Sequence, residues 1–196
     1  MSLARRERSR ENIRREILDA AREIFVTEDY KAVSLRRIAE KVDYSPSAIY
    51  FYFKDKEEIL LQLIQEGYEL LAQAVFHANS ANDPVEFLRQ GGRAYLAFAR
   101  QYPHYYKIMF QIACEAPSPD GEQVGKEVFD LLVQKIEEAV GFNGRQLEID
   151  VRATAAAIWA CLHGLATLKI TGMKLIEPYE ATEARLIAGM FEGLLP

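Results

Sequence analysis

The stretch SPSAIYFYFKDKEEIL, residues 45–60, sets four aromatics in a row, Tyr50, Phe51, Tyr52 and Phe53, between a Ser-Pro pair and a run of mixed charge. Consecutive residues on a helix point in different directions, so one buried face cannot hold all four. Ser45 is a good N-cap, and Pro46 suits the first helical position, where a missing N–H costs nothing. Ile49 and Phe53, four apart, form the expected buried side. Tyr50 and Tyr52 are then left to face outward, or to close over a small core.

Working outward from this stretch, Asp43-Tyr44 interrupts an apolar pattern, Leu35, Ile38, Ala39 and Val42, that Ser34 is placed to cap. A longer helix is expected from Ser9 to about Glu28, with Ile13, Ile17, Ala20, Ala21, Ile24 and Phe25 at spacings of three and four. Two short helices, 34–42 and 45–53, follow that longer one and are joined by a tight turn. This is the pattern of a helix-turn-helix. In such a motif the second helix enters the major groove of DNA and flanking groups hold phosphates. An outward tyrosine there offers a hydroxyl to a phosphate and a ring to a thymine methyl.

Beyond Asp55-x-x-Glu58, which approximates a capping box, the chain continues to read as helix. The expected helices run from there to about Val75, from Asp83-Pro84 to about Gln101, and from Pro103 through Phe110. Three more run from Glu122 to Val140, from about Glu148 to Gly172, and from Glu180 to Leu194. Residues 116–121, Ala-Pro-Ser-Pro-Asp-Gly, read as a loop. No segment alternates as a strand does, and none repeats. The expectation is an all-α chain of about nine helices. A three-helix domain over residues 1–53 precedes a helical domain over 54–196.

The 196 residues carry a formal charge of −5, which by itself argues against a polyanionic partner. The distribution is uneven. Residues 1–15 hold six arginines and two acids, residues 1–54 carry a net +3, and residues 55–196 a net −8. Local charge governs polyanion binding, so a basic head on an acidic body remains compatible with DNA. No transmembrane span or secretory signal is expected, and a cytoplasmic location is the simplest compartment. Cys114 and Cys161 lack metal-ligand spacing and are expected as small buried fillers. There is no H-E-x-x-H, C-x-x-C, G-x-S-x-G or phosphate-binding glycine loop, so neither enzyme chemistry, a cofactor nor a metal is expected.

The segment SLRRIAEKVDYSPSAIYFYFKDKEEIL resembles the DNA-binding signature of TetR-type transcriptional regulators through Ser34, Ile38-Ala39, Ser45, Ile49-Tyr50, Tyr52-Phe53 and Lys54-x-Lys56-Glu57-Glu58. The resemblance implies double-stranded DNA with a near-palindromic operator as partner. It places Ser45 at the start of the recognition helix, Pro46, Ser47 and Tyr50 in the major groove, and Arg36 on a base edge or phosphate. Ser34, Ala48 through its N–H, Tyr52 and Lys56 would hold phosphates, and the N-terminal arginines would add non-specific attraction. Two positions depart from the family habit. Asp43 stands where glycine is usual, and Tyr44 where a small apolar residue is usual. Pro46 and Ser47 lack long polar side chains, so Arg36, Tyr50 and DNA shape are expected to carry more of the specificity.

The resemblance also implies a ligand and dimer domain after residue 54. The segment YLAFARQYPHYYKIMF, residues 95–110, and WACLHG, residues 159–164, supply an aromatic set for a pocket: Phe98, Tyr102, Tyr105, Tyr106, Met109, Phe110, Trp159 and His163. Core packing is the alternative for each of these, and a helix-to-helix hydrogen bond is the alternative for His163. The last two helices, one rich in alanine and the other carrying Ala184, Leu186, Ile187, Met190, Phe191 and Leu194, are the candidate homodimer face. The functional expectation is a dimeric transcriptional regulator, a repressor released by a small-molecule effector. The alternative is a helical protein–protein adaptor that does not use its helix-turn-helix.

Overall fold

The computed structural model describes residues 3–77, 83–141 and 150–192, and among these every regular element is a helix. The expected helix boundaries at Glu148 and Leu194 lie outside the described residues. The chain forms two compact units. One comprises residues 1–67 and 104–122, the other 68–103 and 123–196.

The first unit opens with α1, Leu3–Thr27. It begins well before Ser9 because residues 3–8 are leucine, alanine, arginine and glutamate, all strong helix formers. After a 3-10 turn at Tyr30–Ala32 come α2, Leu35–Lys41, and α3, Pro46–Tyr50. Both caps expected from sequence are present. Ser34 Oγ accepts the Arg37 N–H at 3.2 Å, and Ser45 Oγ accepts the Ala48 N–H at 3.2 Å. Asp43, between the two helices, has φ of +57°. Ile38, Ala39, Ile49 and Phe53 join Ile17, Ala21, Ile24 and Phe25 in a core exposed by 1% or less.

Helix α4, Lys56–His77, starts where Asp55 Oδ1 accepts the Glu58 N–H at 2.8 Å, while Glu58 reaches back to the Lys54 N–H at 2.8 Å. The later part of the first unit holds α6, Pro103–Lys107, a π-helical segment, Ile108–Ile112, and α7, Ala113–Glu115. Gly67 on α4 lets the Met109 side chain come close. A Cβ there would overlap its Sδ and lie 2.8 Å from its Cγ.

The second unit holds α5, Pro84–Gln101, capped by Asp83, together with most of α8, Pro119–Gly141. It is completed by α9, Val151–Ile170, capped by Asp150, and α10, Tyr179–Glu192. Helices α5, α9 and α10 pack on one another around Leu96, Phe98, Ala155, Leu162, Ala166 and Ile187, all buried. Helix α8 corrects the expected loop over 116–121. It begins at Pro119, where proline fits the first turn and Ser118 Oγ accepts the Gly121 N–H at 3.1 Å. Among the described residues α9 is also long and apolar enough to cross a membrane. Its alanines and its inward Ile158, Leu162 and Leu165 account for that composition.

Both cysteines correct their expectation, being exposed and free of any disulfide. Cys161 shares the outward face of α9 with Ala156, Ala157 and Ala160. Cys114 follows the π segment, and its thiol donates to the Phe110 carbonyl at 3.3 Å.

Candidate nucleic-acid interface

The outward side of α3 is built from residues its own core does not need. Ile49 and Phe53 are buried, whereas Tyr50 is 62% and Phe51 67% exposed. Pro46 and Ser47 are exposed beside them, Tyr52 is half-buried, and the Ser45 and Ser47 hydroxyls lie 2.9 Å apart. On α2 the Arg36 side chain is 80% exposed, and its one polar contact among the described residues is 3.3 Å from Nε to Glu40. An arginine so placed keeps most of its five donors for another partner.

In sequence Phe51 is one of the aromatic row without a role of its own, and Arg10 only one of the N-terminal arginines; their pairing is not legible there. The Arg10 guanidinium lies 5.1 Å from the Phe51 ring centroid, and the Tyr52 ring meets Phe51 edge-on at 5.3 Å. Among the six N-terminal arginines, Arg14 is held internally. It donates to the Tyr52 carbonyl at 3.0 Å and to Gln62, and covers the Phe53 ring at 4.3 Å. It therefore fixes the chain just beyond the end of α3. Arg15 pairs with Glu66 at 2.9 Å, and this raises its pKa. Arg5, Arg6, Arg8 and Arg10 remain on the exposed start of α1. The arginine run was legible in sequence, but which members the fold engages was not.

Two groups expected to hold phosphate are engaged within the chain. The Ala48 N–H points at Ser45, and the Lys56 ammonium donates to the Tyr30 and Val33 carbonyls at 2.7 and 2.9 Å. Lys56 closes the turn before α2, stacked 4.3 Å from the Tyr30 ring centroid, and keeps one N–H. Tyr44, the departure from family habit, is half-buried. Its hydroxyl donates to Glu16 on α1 at 2.7 Å, and that bond raises its pKa.

The expected aromatic pocket divides. Gln101-Tyr102-Pro103 ends α5, so Tyr105, Tyr106, Met109 and Phe110 fall in the first unit, and Phe98, Tyr102, Trp159 and His163 in the second. Tyr106 packs on Phe110 at 4.8 Å, and the Tyr105 hydroxyl donates to Glu66 at 2.9 Å while accepting from Arg22 at 3.0 Å. Phe98 is core, stacked on Tyr102 at 5.6 Å. His163 makes the helix-to-helix contact, Nδ1 to the Tyr95 hydroxyl at 3.3 Å, and burial lowers its pKa.

The second unit contains a cavity of about 130 Å³, lined by Trp159 alone of the eight expected residues, together with Tyr95, the first residue of the aromatic segment 95–110. Leu71, Leu88, Gly92, Tyr95, Ile158 and Leu162 form its buried end, and Phe76, Phe87 and Lys135 its outer part. Leucines and valines on α4 and α8 carry no sequence mark that separates cavity wall from ordinary core, which is why the sequence missed them.

Residues 17–63 match the family described as bacterial regulatory proteins, tetR family, and residues 88–190, more than half of the chain, match the tetracyclin repressor-like C-terminal domain. The chain belongs to the TetR family. The HTH-type transcriptional repressor AcnR of Corynebacterium efficiens is 37% identical over 78 residues, covering 40% of this chain and 39% of its own. The transcriptional activator FasR of Mycolicibacterium smegmatis is 28% identical over 103 residues, covering 52% and 47%. The chain thus spans under half the length of these curated relatives. The fold of the fatty acid degradation regulator FadR from Bacillus halodurans superposes with a TM-score of 0.74 at 21% identity, covering 93% of this chain and 94% of that one.

Proposed function

We propose that this protein is a sequence-specific DNA-binding regulator, a homodimeric repressor that leaves a near-palindromic operator when a small molecule fills the second-unit cavity. The observation that carries the reading is the outward face of α3. Tyr50 and the C-cap Phe51, with Ser47 beside them, stand exposed on and at the end of a helix whose buried residue is Ile49. Arg36 and Arg10 supply charge around that face for phosphates or base edges. Ser34, Ser45 and Tyr52 add hydroxyls, and Lys56 acts chiefly by fixing the turn before α2.

Dimerisation through α9 and α10 is supported by an exposed strip of Ala153, Ala156, Ala157 and Ala160, which permits close helix approach. Ala155, Ala166 and Ile187 are not part of it, because they face the interior. The Phe191 side chain and Leu194 lie outside the described part. A two-fold pair would space its recognition helices roughly 34–36 Å apart, one DNA turn. The AcnR name supports repression, and an operator overlapping a promoter needs no further contact to block it. A ligand releases the operator only if it binds the DNA-free form more tightly than the DNA-bound form. The family and the motif inventory support a non-enzymatic role in the cytoplasm.

Selection of sites from random duplex DNA, read at two salt concentrations, tests the reading. The expected result is a palindrome whose affinity falls steeply with salt. Arg36→Ala is expected to relax the preference at one position in each half-site by about 1–3 kcal/mol. Weak, sequence-independent retention from protein stripped of ligand by refolding would overturn the reading and favour the adaptor.

A further inference from the structure

The second-unit cavity is apolar over most of its lining. Its buried end is hydrocarbon and aromatic, and the one hydroxyl there, on Tyr95, is bonded to His163. Its volume of about 130 Å³ far exceeds the order of 10–15 Å³ that one water needs. Burying a hydroxyl or amide with no partner costs about 1–3 kcal/mol. A sugar, nucleotide or peptide would carry several such groups into this end. A hydrocarbon carries none.

The outer part differs by one group. Among the described residues Lys135 is the only charged one in the lining. Its ammonium lies 5.4 Å from the Phe87 ring centroid and 2.7 Å from Glu138, which does not line the cavity. An ammonium has three donors, so two remain beside that ion pair. Phe76, 50% exposed, stands at the same end and meets Phe87 edge-on at 6.4 Å.

We infer that the cavity binds an anionic amphiphile, its hydrocarbon body among Leu88, Tyr95, Trp159 and Leu162 and its carboxylate or comparable anionic head at Lys135. The inference rests on the regulator reading for its consequence, release of DNA, but not for the binding itself. A cationic ligand would bring like charge to Lys135, and a polar neutral one would leave its groups unpaired.

Trp159 is the only tryptophan in the chain and lines the cavity, so its emission reports occupancy. The full-length protein would be titrated with straight-chain carboxylates of increasing length, below micelle formation, and with primary alcohols and alkylamines of the same lengths. Affinity is expected to rise about 3–4-fold per methylene until the cavity is full. At each length carboxylate should bind tighter than alcohol, and alcohol tighter than amine. Lys135→Met keeps the apolar stem and is expected to abolish that head-group order while leaving the chain-length slope. Gly91→Leu is a second variant. A Cβ at Gly91 would sit in ordinary contact, 3.6 Å from Val75, and the rest of a leucine side chain on this cavity wall is expected to shorten the longest chain accepted. Amines equal to carboxylates, no dependence on chain length, or an unchanged order in Lys135→Met would each overturn the inference. DNA release by the same carboxylates separates the two claims. Binding without release sinks the effector role and keeps the site, whereas intact operator binding with no carboxylate bound sinks the site and keeps the regulator.

Discussion

Asp43 turns the chain between α2 and α3 with φ of +57°, a conformation that aspartate tolerates better than most residues and glycine adopts freely. A β-branched side chain there meets its own backbone. Asp43→Val is expected to lower stability by about 1–2 kcal/mol, read as a shift in denaturant midpoint at constant slope, while Asp43→Gly stays within about 0.5 kcal/mol. Arg10 and Phe51 make a second prediction at this scale. If the ring holds the guanidinium for DNA, Arg10→Ala and Phe51→Ala each weaken operator binding. The double variant should then be weaker than wild type by less than the sum of the single losses, with a coupling of about 0.5–1 kcal/mol in titrations at fixed salt. Strict additivity would mean that the stacked pair does not act as a unit.

Among the elements, the π segment at Ile108–Ile112 and α4 meet at a glycine. Gly67→Ala would gain helix propensity but push on Met109, a flexible side chain that can yield. Gly67→Val adds bulk that it cannot absorb, and is expected to destabilise the fold by about 1–3 kcal/mol in chemical denaturation. Between α5 and α9, burial holds His163 below its ordinary pKa of 6.5. The unfolded chain then takes up a proton before the folded one does. Stability is therefore unaffected by this group above that pH and falls as pH drops below it. His163→Asn, which keeps an acceptor near the Tyr95 hydroxyl, is expected to flatten the stability profile just below pH 6.5, measured by thermal unfolding across the range. Glu23, Asp130 and Glu138 have pKa values lowered by their lysine and arginine partners, so they act in the same direction at lower pH.

At the scale of the whole molecule, opposite charges are kept apart along the chain. Residues 1–54 are net positive and residues 55–196 net negative, which directs a polyanion to one part of a protein whose total charge repels it. Two-fold pairing would double that basic surface and set the half-site spacing. Ala157→Glu, placed in the exposed alanine strip of α9, is expected to give a monomer in sedimentation and to lose the palindrome while keeping weak binding to non-specific DNA. A dimer that survives this substitution would move the interface elsewhere.

The elements came from local physics, which a sequence carries in full. Ser34 and Ser45 cap the helices they immediately precede, Pro46 stands at the first turn of α3, and Ile38, Ile49 and Phe53 recur at helical spacing and are buried as that spacing requires. The same signals misplaced the start of α8, because Pro119-Asp-Gly121 reads equally as a loop or as a first helical turn. Only tertiary structure decided which polar groups stay free. Arg14 and Arg15 have the same side chain as Arg10 and Arg36, and Lys56 carries the same charge, yet their donors meet carbonyls and a carboxylate brought close by residues 23 to 51 positions away in the chain. It decided the cavity too. Sequence marks a residue as apolar, but whether that residue fills space or borders it depends on how helices distant in sequence pack. That is why conspicuous aromatics such as Phe98 and Tyr106 went to the core, while Leu88, Gly91 and Lys135 came to line the cavity.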